Sequence, residues 1–109
     1  MSALRVSVRR RVDGVVVVLT GELDLAEVGR MTRRVLKLEQ ESPAALFLDL
    51  RSLSFLDSSG LQGLVEIDAR GRSNGRRVAF IRGPGTVHRL FELTRLEDRV
   101  EILDDLPPE

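Results

Sequence analysis

Two short apolar segments with an amphipathic segment between them restrict this chain to few architectures. Segments 15–19 and 45–50 are almost wholly apolar, as strands buried on both faces are. Between them, apolar residues recur at spacings of three and four, which is the period of an amphipathic helix. These residues are Leu25, Val28, Met31, Val35 and Leu38. We expect Asp24 to cap this helix and Ser42-Pro43 to end it, so that strand, helix and strand form a right-handed parallel crossover.

The rest of the chain continues this alternation. Residues 4–8 alternate apolar and polar side chains before the turn signal Asp13-Gly14, which predicts an antiparallel edge strand with its arginines outward. After residue 50 the patterns predict a helix over 61–71, a strand over 77–82, a helix capped by Thr86 and a strand over 100–103. No repeat or linker divides the chain, so we expect one α/β domain over residues 1–109, with an ordered core over 1–103 and a frayed tail over 104–109. The order β-β-α-β-α-β-α-β predicts a mixed, largely parallel sheet of about five strands.

Charge and composition exclude several classes of function. The 109 residues include 17 Lys or Arg and 17 Asp or Glu, so no excess positive charge is present to hold nucleic acid or an anionic membrane. Because cysteine is absent, disulfides and thiolate metal sites are excluded, and we predict neither a cofactor nor a metal. The longest apolar run, 15–19, is too short for a membrane span or a signal peptide, so we expect a cytoplasmic protein.

The chemistry of the chain is concentrated in Asp57-Ser58-Ser59-Gly60. If Asp57 caps the second helix, Ser58 is its first residue and displays its hydroxyl to solvent. A catalytic serine needs a general base held by a third group, and none lies nearby in sequence. The single histidine, His88, is predicted on the polar side of the third helix because its neighbours at helical spacing are charged. We therefore interpret Ser58 as a serine displayed for modification and predict no catalytic residue.

Gly60 and Gly63 lie where a helix would prefer other residues. Each glycine in a helix costs about 1 kcal/mol relative to alanine, so the two must have a compensating role. Three residues apart, they share a face on which another surface can approach closely. That surface is either a neighbouring element of this protein or a docking partner, and the sequence leaves both interpretations open.

Three motifs resemble those of the STAS-domain anti-sigma factor antagonists, or anti-anti-sigma factors. They are Thr20-Gly-Glu-Leu-Asp24, the segment 48–61 that contains Asp57-Ser58-Ser59-Gly60-Leu61, and Gly83-Pro84-Gly-Thr-Val-His-Arg-Leu-Phe91. The motifs stand at matching distances, and the resemblance covers nearly the whole chain. It implies a single STAS-like domain with the helices packed mainly on one face of the sheet.

The resemblance also implies a partner switch. The unphosphorylated protein would bind an anti-sigma factor that is a serine kinase and so release a sigma factor. Phosphorylation of Ser58 would abolish this binding, and a separate serine phosphatase would restore it. The residues expected to contact the partner are Asp24, Asp57, Ser58, Ser59, Gly60, Leu61 and Gly63. The protein itself would be a monomer or a weak dimer and not an enzyme.

Two alternatives and one departure from the family pattern remain. A STAS regulatory subunit of a membrane transporter ATPase would act without phosphorylation. An enzyme or nucleotide-binding protein would use Ser58 and Asp57 with the loop 83–85, which lacks the lysine and the spacing of a phosphate-binding motif. The chain ends soon after its last strand, where many family members add a helix, so part of the sheet or of the third helix is expected to be exposed. All four phenylalanines, Phe47, Phe55, Phe80 and Phe91, are expected in the core, and Phe55 is the one expected to border a docking surface.

Overall fold

The computed structural model describes residues 3–109 and contains every predicted helix and strand. The first two residues of the predicted domain lie outside the described part of the chain. Strands β1 (Leu4–Arg11) and β2 (Gly14–Leu23) form the predicted hairpin. The elements that follow are α1 (Val28–Glu39), β3 (Ala45–Leu56), α2 (Ser58–Ser73), β4 (Arg77–Ile81), α3 (Gly85–Leu93), a 3-10 turn (Leu96–Asp98) and β5 (Glu101–Leu103).

The five strands form one sheet in the order β1-β2-β3-β4-β5. The first pair is antiparallel, and the other three pairs are parallel. The prediction of a mixed, largely parallel sheet is therefore confirmed, and β1 lies at the edge as expected. Parallel pairs form because a helix returns the chain to the same end of the sheet after each strand.

The main core lies on one face of the sheet. In β2, for example, Val15, Val17 and Leu19 point into this core, while Val16 points to the opposite face, as the period of a strand requires. All three helices contribute to the core; their buried apolar residues are Met31, Val35, Leu38, Leu61, Leu64, Ile67, Val87 and Phe91. The helices therefore pack on one face, as the family resemblance implied.

A small apolar cluster occupies the opposite, outer face of the sheet. Its centre is Phe47, which is 0% exposed although no helix covers it. The guanidinium groups of Arg11 and Arg77 lie 5.1 and 5.4 Å from the centre of the Phe47 ring. A cation over an aromatic face is attracted by the ring electrons, and the apolar stems of both arginines shield the ring from water.

Residues 104–109, predicted as a frayed tail, contact this outer face. Leu106 packs against the Phe47 cluster, and Arg11 Nη2 donates a hydrogen bond to the carbonyl of Pro107 at 2.6 Å. The tail thus covers part of the sheet that was expected to be exposed. Part of α3 is exposed as expected, since Leu93 is 68% exposed.

The first helix begins later than the sequence predicted. Asp24 does not cap α1, because residues 25–27 form a turn before it, and the side chain of Asp24 accepts hydrogen bonds from the N–H groups of Ala26 and Glu27 at 3.1 and 3.2 Å. These bonds close the turn over residues 25–27, and the first regular helical residue is Val28. As a result Leu25, predicted on the core-facing side, is 73% exposed.

Two predictions about α3 are also wrong. Pro84, rather than Thr86, occupies the N-cap position, and its carbonyl accepts hydrogen bonds from the N–H groups of Val87 and His88. His88 is buried rather than exposed on a polar side. Its ring stacks on Phe91 at 5.9 Å, and its Nε2 lies 2.6 Å from Arg82 Nη1 and 3.2 Å from Glu97 Oε2. Glu97 belongs to the 3-10 turn, so the chain folds back over the face of α3 that carries His88. The helical spacing of charged residues had predicted that this face is exposed to solvent.

An ion pair on the outer face, between the buried Asp49 and the partly exposed Arg51, gives a first prediction. The side chain of Asp49 is 8% exposed and accepts hydrogen bonds from Arg51 Nε, Arg51 Nη2 and the Arg51 backbone N–H at 2.9–3.1 Å. Burial alone would raise the pKa of the Asp49 carboxyl, but the hydrogen bonds from Arg51 hold this pKa below its usual value. A depressed folded-state pKa adds stability above the unfolded pKa of about 4, and this stability is lost as the pH falls through the folded pKa.

Arg51→Ala is therefore expected to lower the free energy of unfolding by about 2 kcal/mol at neutral pH, because a buried carboxylate loses its cation. The loss should shrink in acid, where the unpaired Asp49 becomes protonated. Urea denaturation at neutral pH and near the carboxylate pKa measures both quantities. Arg10→Ala is the matched control, since Arg10 and its partner Glu41 are both exposed and such pairs contribute less than about 1 kcal/mol. A loss for Arg51→Ala that is equal at both pH values would contradict the prediction.

Candidate functional site at the start of helix α2

Asp57 caps α2 and links it to the loop that precedes α1. One carboxylate oxygen accepts a hydrogen bond from the N–H of Gly60 at 2.8 Å, which is the predicted N-cap bond. The other oxygen accepts a hydrogen bond from the N–H of Leu25 at 3.2 Å. Both oxygens of Asp57 are thus engaged by the protein's own backbone, and the carboxylate fixes the geometry around Ser58.

Asp24 lies in the loop that Asp57 holds, directly before Leu25. Its carboxylate closes the turn before α1, as described above, and is half-buried. The structure therefore brings Asp24 and Asp57 to the same edge of the sheet, beside the start of α2. Each carboxylate stabilises the local backbone there, because each accepts hydrogen bonds from backbone N–H groups.

Ser58 is the first residue of α2, as predicted, and its side chain is exposed. Ser59 is half-buried. Within residues 3–109, neither hydroxyl takes part in a hydrogen bond, and neither is joined to a histidine or carboxylate that could act as a general base. The backbone N–H groups at the start of a helix favour an anionic group at this position.

Gly60, Leu61 and Gly63 are buried beneath this surface. A Cβ atom on Gly60 would lie 2.5 Å from the carbonyl oxygen of Leu23, and one on Gly63 would lie 2.5 Å from Cγ2 of Val28. Both glycines therefore allow α2 to approach neighbouring elements of the same chain. This geometry supports the first of the two interpretations of these glycines, close packing within the protein.

Two grooves flank Ser58. The larger lies between α1 and α2, has a volume of about 560 Å³ and is lined by Val28, Gly29, Thr32, Arg33, Ser58, Ser59, Gln62, Gly63 and Glu66. The smaller, of about 320 Å³, is lined by Ser58, Leu61, Gln62, Val65, Thr94, Leu96 and Arg99. Ser58 and Gln62 line both grooves and form the ridge between them, so a group added to Ser58 would change the shape of both.

Exposed apolar side chains lie at the same edge of the sheet. Leu25, whose N–H is bonded to Asp57, is 73% exposed, and Phe55, two residues before Asp57, is 48% exposed. The prediction that Phe55 belongs to the core is therefore wrong, and its place at the border of a docking surface stays a prediction. Leu25 was missed because the helical period placed it in the core. Large apolar groups exposed together beside a polar site are typical of a surface that binds another protein.

Comparison with known proteins identifies the family. The model of the STAS domain matches residues 4–107, which is nearly the whole chain. The chain belongs to the STAS domain family. The resemblance drawn from the three sequence motifs is therefore confirmed.

Several relatives of this STAS domain are named anti-sigma factor antagonists. The anti-sigma-B factor antagonist of Staphylococcus aureus is 26% identical over 82 residues, which is 75% of this chain and 76% of the relative. The crystal structure of an anti-sigma factor antagonist from Mycobacterium paratuberculosis is similar, with a TM-score of 0.82, 25% identity and coverage of 94% of this chain and 87% of that one. The Bacillus cell fate determinant SpoIIAA in its phosphorylated form has the same fold, with a TM-score of 0.71 at 20% identity over 91% of each chain.

Two further features bear on the chemistry of this STAS domain. Across residues 3–109, no group of three or more histidine or acidic side chains is placed so that it could hold a metal ion. The helices in this part of the chain are all too short or too polar to cross a membrane.

The cap of α2 gives a second prediction. Asp57→Ala is expected to lower the stability of the STAS domain by about 1–2 kcal/mol, because the N–H of Gly60 loses its acceptor and the loop of Leu25 loses its link to the helix. Asp57→Asn keeps one oxygen and should recover most of the loss. Thermal unfolding measures both variants. Equal melting temperatures for Asp57→Ala and the unaltered protein would show that Asp57 does not stabilise the start of α2.

Proposed function

We propose that this STAS protein is a cytoplasmic anti-sigma factor antagonist whose binding is controlled by phosphorylation of Ser58. The unphosphorylated protein binds an anti-sigma factor that is a serine kinase, and the bound sigma factor is released. Phosphorylation ends the complex, and a serine phosphatase restores the binding form. The observation that carries the proposal is the exposed, unbonded hydroxyl of Ser58 at the start of α2, in a STAS domain whose relatives are named anti-sigma factor antagonists.

The position of Ser58 supports a switch that leaves the fold intact. A phosphate adds about −1.5 to −2 charges at neutral pH. The start of α2 can stabilise these charges through its N–H groups, and no buried group has to move because Ser58 is exposed. The phosphorylated protein is therefore expected to remain folded.

The surroundings of Ser58 support a switch in which phosphorylation weakens the binding of the partner. Leu25, whose N–H is bonded to Asp57, and Phe55, two residues before Asp57 in the chain, offer exposed apolar area, and burial of such area against a partner favours association. A phosphate on this surface must lose water when the partner docks, and it also adds negative charge beside Asp57. Both effects weaken docking.

The same geometry supports a regulatory rather than an enzymatic role. In the part of the chain that the structure describes, no base is hydrogen-bonded to the hydroxyl of Ser58, and His88 is engaged with Arg82 and Glu97. Residues 83–85 form the turn into α3, where the carbonyl of Pro84 is used by the helix. In this proposal Ser58 is a substrate of the partner kinase, and the protein supplies no catalytic residue.

Partner capture tests the proposal. Ser58→Ala and Ser58→Asp proteins are immobilised, exposed to cell extract in parallel, and their bound proteins identified by mass spectrometry. We expect the alanine protein to retain a serine kinase of the anti-sigma factor class that the aspartate protein loses. Retention of the same transporter ATPase by both proteins would instead support a STAS regulatory subunit that works without phosphorylation.

A further inference from the structure

A row of cations follows the exposed side of α1. Arg30, Arg33, Arg34 and Lys37 recur at helical spacing and alone line a shallow cradle of about 240 Å³. We call these four residues the cationic ridge. Over seven residue steps the ridge extends about 10 Å along the helix.

Within residues 3–109, Arg30 is the only cation of the ridge that forms an ion pair with an acidic residue. Glu39, the one acidic residue of α1, has a side chain that is 9% exposed and accepts hydrogen bonds from Arg70. Glu41 pairs with Arg10, and Glu27 pairs with Arg30 at the other end of the ridge. Within residues 3–109, the side chains of Arg33, Arg34 and Lys37 form no ion pair.

Such an arrangement opposes the stability of the helix. Like charges three or four residues apart on a helix repel by about 0.2–0.5 kcal/mol per pair, and Arg30–Arg33, Arg30–Arg34, Arg33–Lys37 and Arg34–Lys37 are all of this kind. The formal net charge of the protein is zero, so the four cations of the ridge are offset by an excess of four acidic residues elsewhere in the chain. The ridge is thus a local positive field on a neutral molecule.

The ridge is continuous with the surface around Ser58. Arg33 lines the cradle and also the larger groove, which contains Ser58 and Ser59. A protein seated over Ser58 and extending along that groove would therefore reach the ridge. Arg33 is thus shared by the two regions.

We infer that the cationic ridge of α1 binds an acidic segment of the protein that docks at Ser58. In naming that protein as the anti-sigma factor, the inference rests on the proposed function. The short ridge suits a few carboxylates, since arginine forms paired hydrogen bonds with each of them. Its charge attracts the partner before contact and speeds association.

The size of the ridge favours a protein partner over other anions. Stable binding to nucleic acid commonly uses about 6–10 phosphate contacts, more than this ridge offers, and no aromatic side chain lies among its cations for a base to stack on. An anionic membrane contributes about 1 kcal/mol per cation near its surface, which is too little for stable attachment by the ridge alone.

The ridge also adds a second element to the phosphorylation switch. Because Arg33 and Ser58 line one groove, a phosphate on Ser58 is an anion of this protein that competes with the partner's carboxylates for the same cation. Phosphorylation would then lower the attraction of the ridge as well as repel the partner directly.

A short oligoglutamate peptide tests the ridge without any partner. Titrated into the isotope-labelled protein at low ionic strength, it should shift the amide resonances of α1. Arg34→Ala/Lys37→Ala should weaken this binding about tenfold, since each exposed ion pair contributes up to about 1 kcal/mol. Arg5→Ala/Arg9→Ala removes the same charge from exposed positions of β1 and is expected to change nothing. Equal weakening by the two double variants would overturn the inference.

The captured anti-sigma factor provides the second arm. Its association rate with the Arg34→Ala/Lys37→Ala protein should fall about tenfold, with a smaller dependence on salt, while its discrimination between Ser58→Ala and Ser58→Asp persists. An unchanged association rate with that discrimination intact would overturn the ridge alone. Loss of the discrimination would overturn the proposed function, and the oligoglutamate result would still decide the ridge. Binding to phosphatidylglycerol vesicles or to single-stranded RNA that depends on the ridge and exceeds oligoglutamate binding would overturn the choice of a protein partner.

Discussion

Phosphorylated Ser58 is expected to weaken binding of the anti-sigma factor about a hundredfold, equivalent to about 3 kcal/mol. The loss has two sources at one position. The phosphate must be desolvated between the two grooves, and its charge lies beside the carboxylate of Asp57. The helix start stabilises the phosphate equally in the free protein, so it does not offset the loss on docking.

The measurement compares the affinity of the kinase-treated protein with that of Ser58→Ala by calorimetry. Ser7→Asp is the matched control, because Ser7 is exposed on β1 and gains a charge far along the chain from α2. We expect the control to bind like the unaltered protein and all forms to melt within a few degrees of one another. Similar affinities for phosphorylated and Ser58→Ala protein would refute the switch, and a large fall in melting temperature would show that phosphorylation acts through unfolding instead.

Gly60→Ala is expected to cost about 3 kcal/mol of stability, which corresponds to a fall in melting temperature of about 15 °C for a domain of this size. The new Cβ would lie 2.5 Å from the backbone oxygen of Leu23 and 2.8 Å from Cδ1 of Leu56. A side chain can rotate away, but the carbonyl of β2 is held by the sheet, so α2 itself must shift. Overpacking against backbone is therefore more costly than the gain in helix propensity from alanine.

Gly85→Ala is the matched control for this substitution. Gly85 is also a helical residue, at the start of α3, but within residues 3–109 no atom beyond its chain neighbours and its own helix backbone lies within 4 Å of the position its Cβ would take. The same chemical change should there be neutral or slightly stabilising. Denaturation of both variants in urea decides the point, and a Gly60→Ala protein as stable as Gly85→Ala would mean that α2 does not approach β2 as closely as described.

The architecture was predictable because periods in the sequence report directly on burial. Segments 15–19 and 45–50 are apolar on both faces, and both are central strands with cores above and below. The helix between them, α1, has its buried residues at spacings of three and four. Such patterns are local, and each can be interpreted without knowledge of the rest of the fold.

The errors arose where distant or competing contacts decide the structure. The carboxylate of Asp24 closes a turn before α1, and the helix begins after this turn. His88 of α3 is covered by the 3-10 turn that follows that helix. The outer face gave no helical signal, yet Arg11 and the tail around Leu106 cover Phe47. In each case a residue has a partner that its own periodic pattern does not contain.

The candidate site was predictable to a similar degree. The cap Asp57 and the exposed Ser58 follow from local helix rules, and the structure places both as expected. The exposure of Leu25, the grooves on both sides of Ser58 and the link through Arg33 to the cationic ridge depend on how α1 and α2 pack together. No local signal in the sequence reports on that packing.

The strand order has a consequence for how the chain is made. Each strand of the sheet pairs with the strand synthesised immediately before it, from β1 through β5. β1 and β2 leave the ribosome first. When each later strand emerges, the strand with which it pairs has already been made. No strand remains unpaired until a strand distant in sequence has been made. The helices cover the apolar face of the sheet one at a time, as strands are added to it.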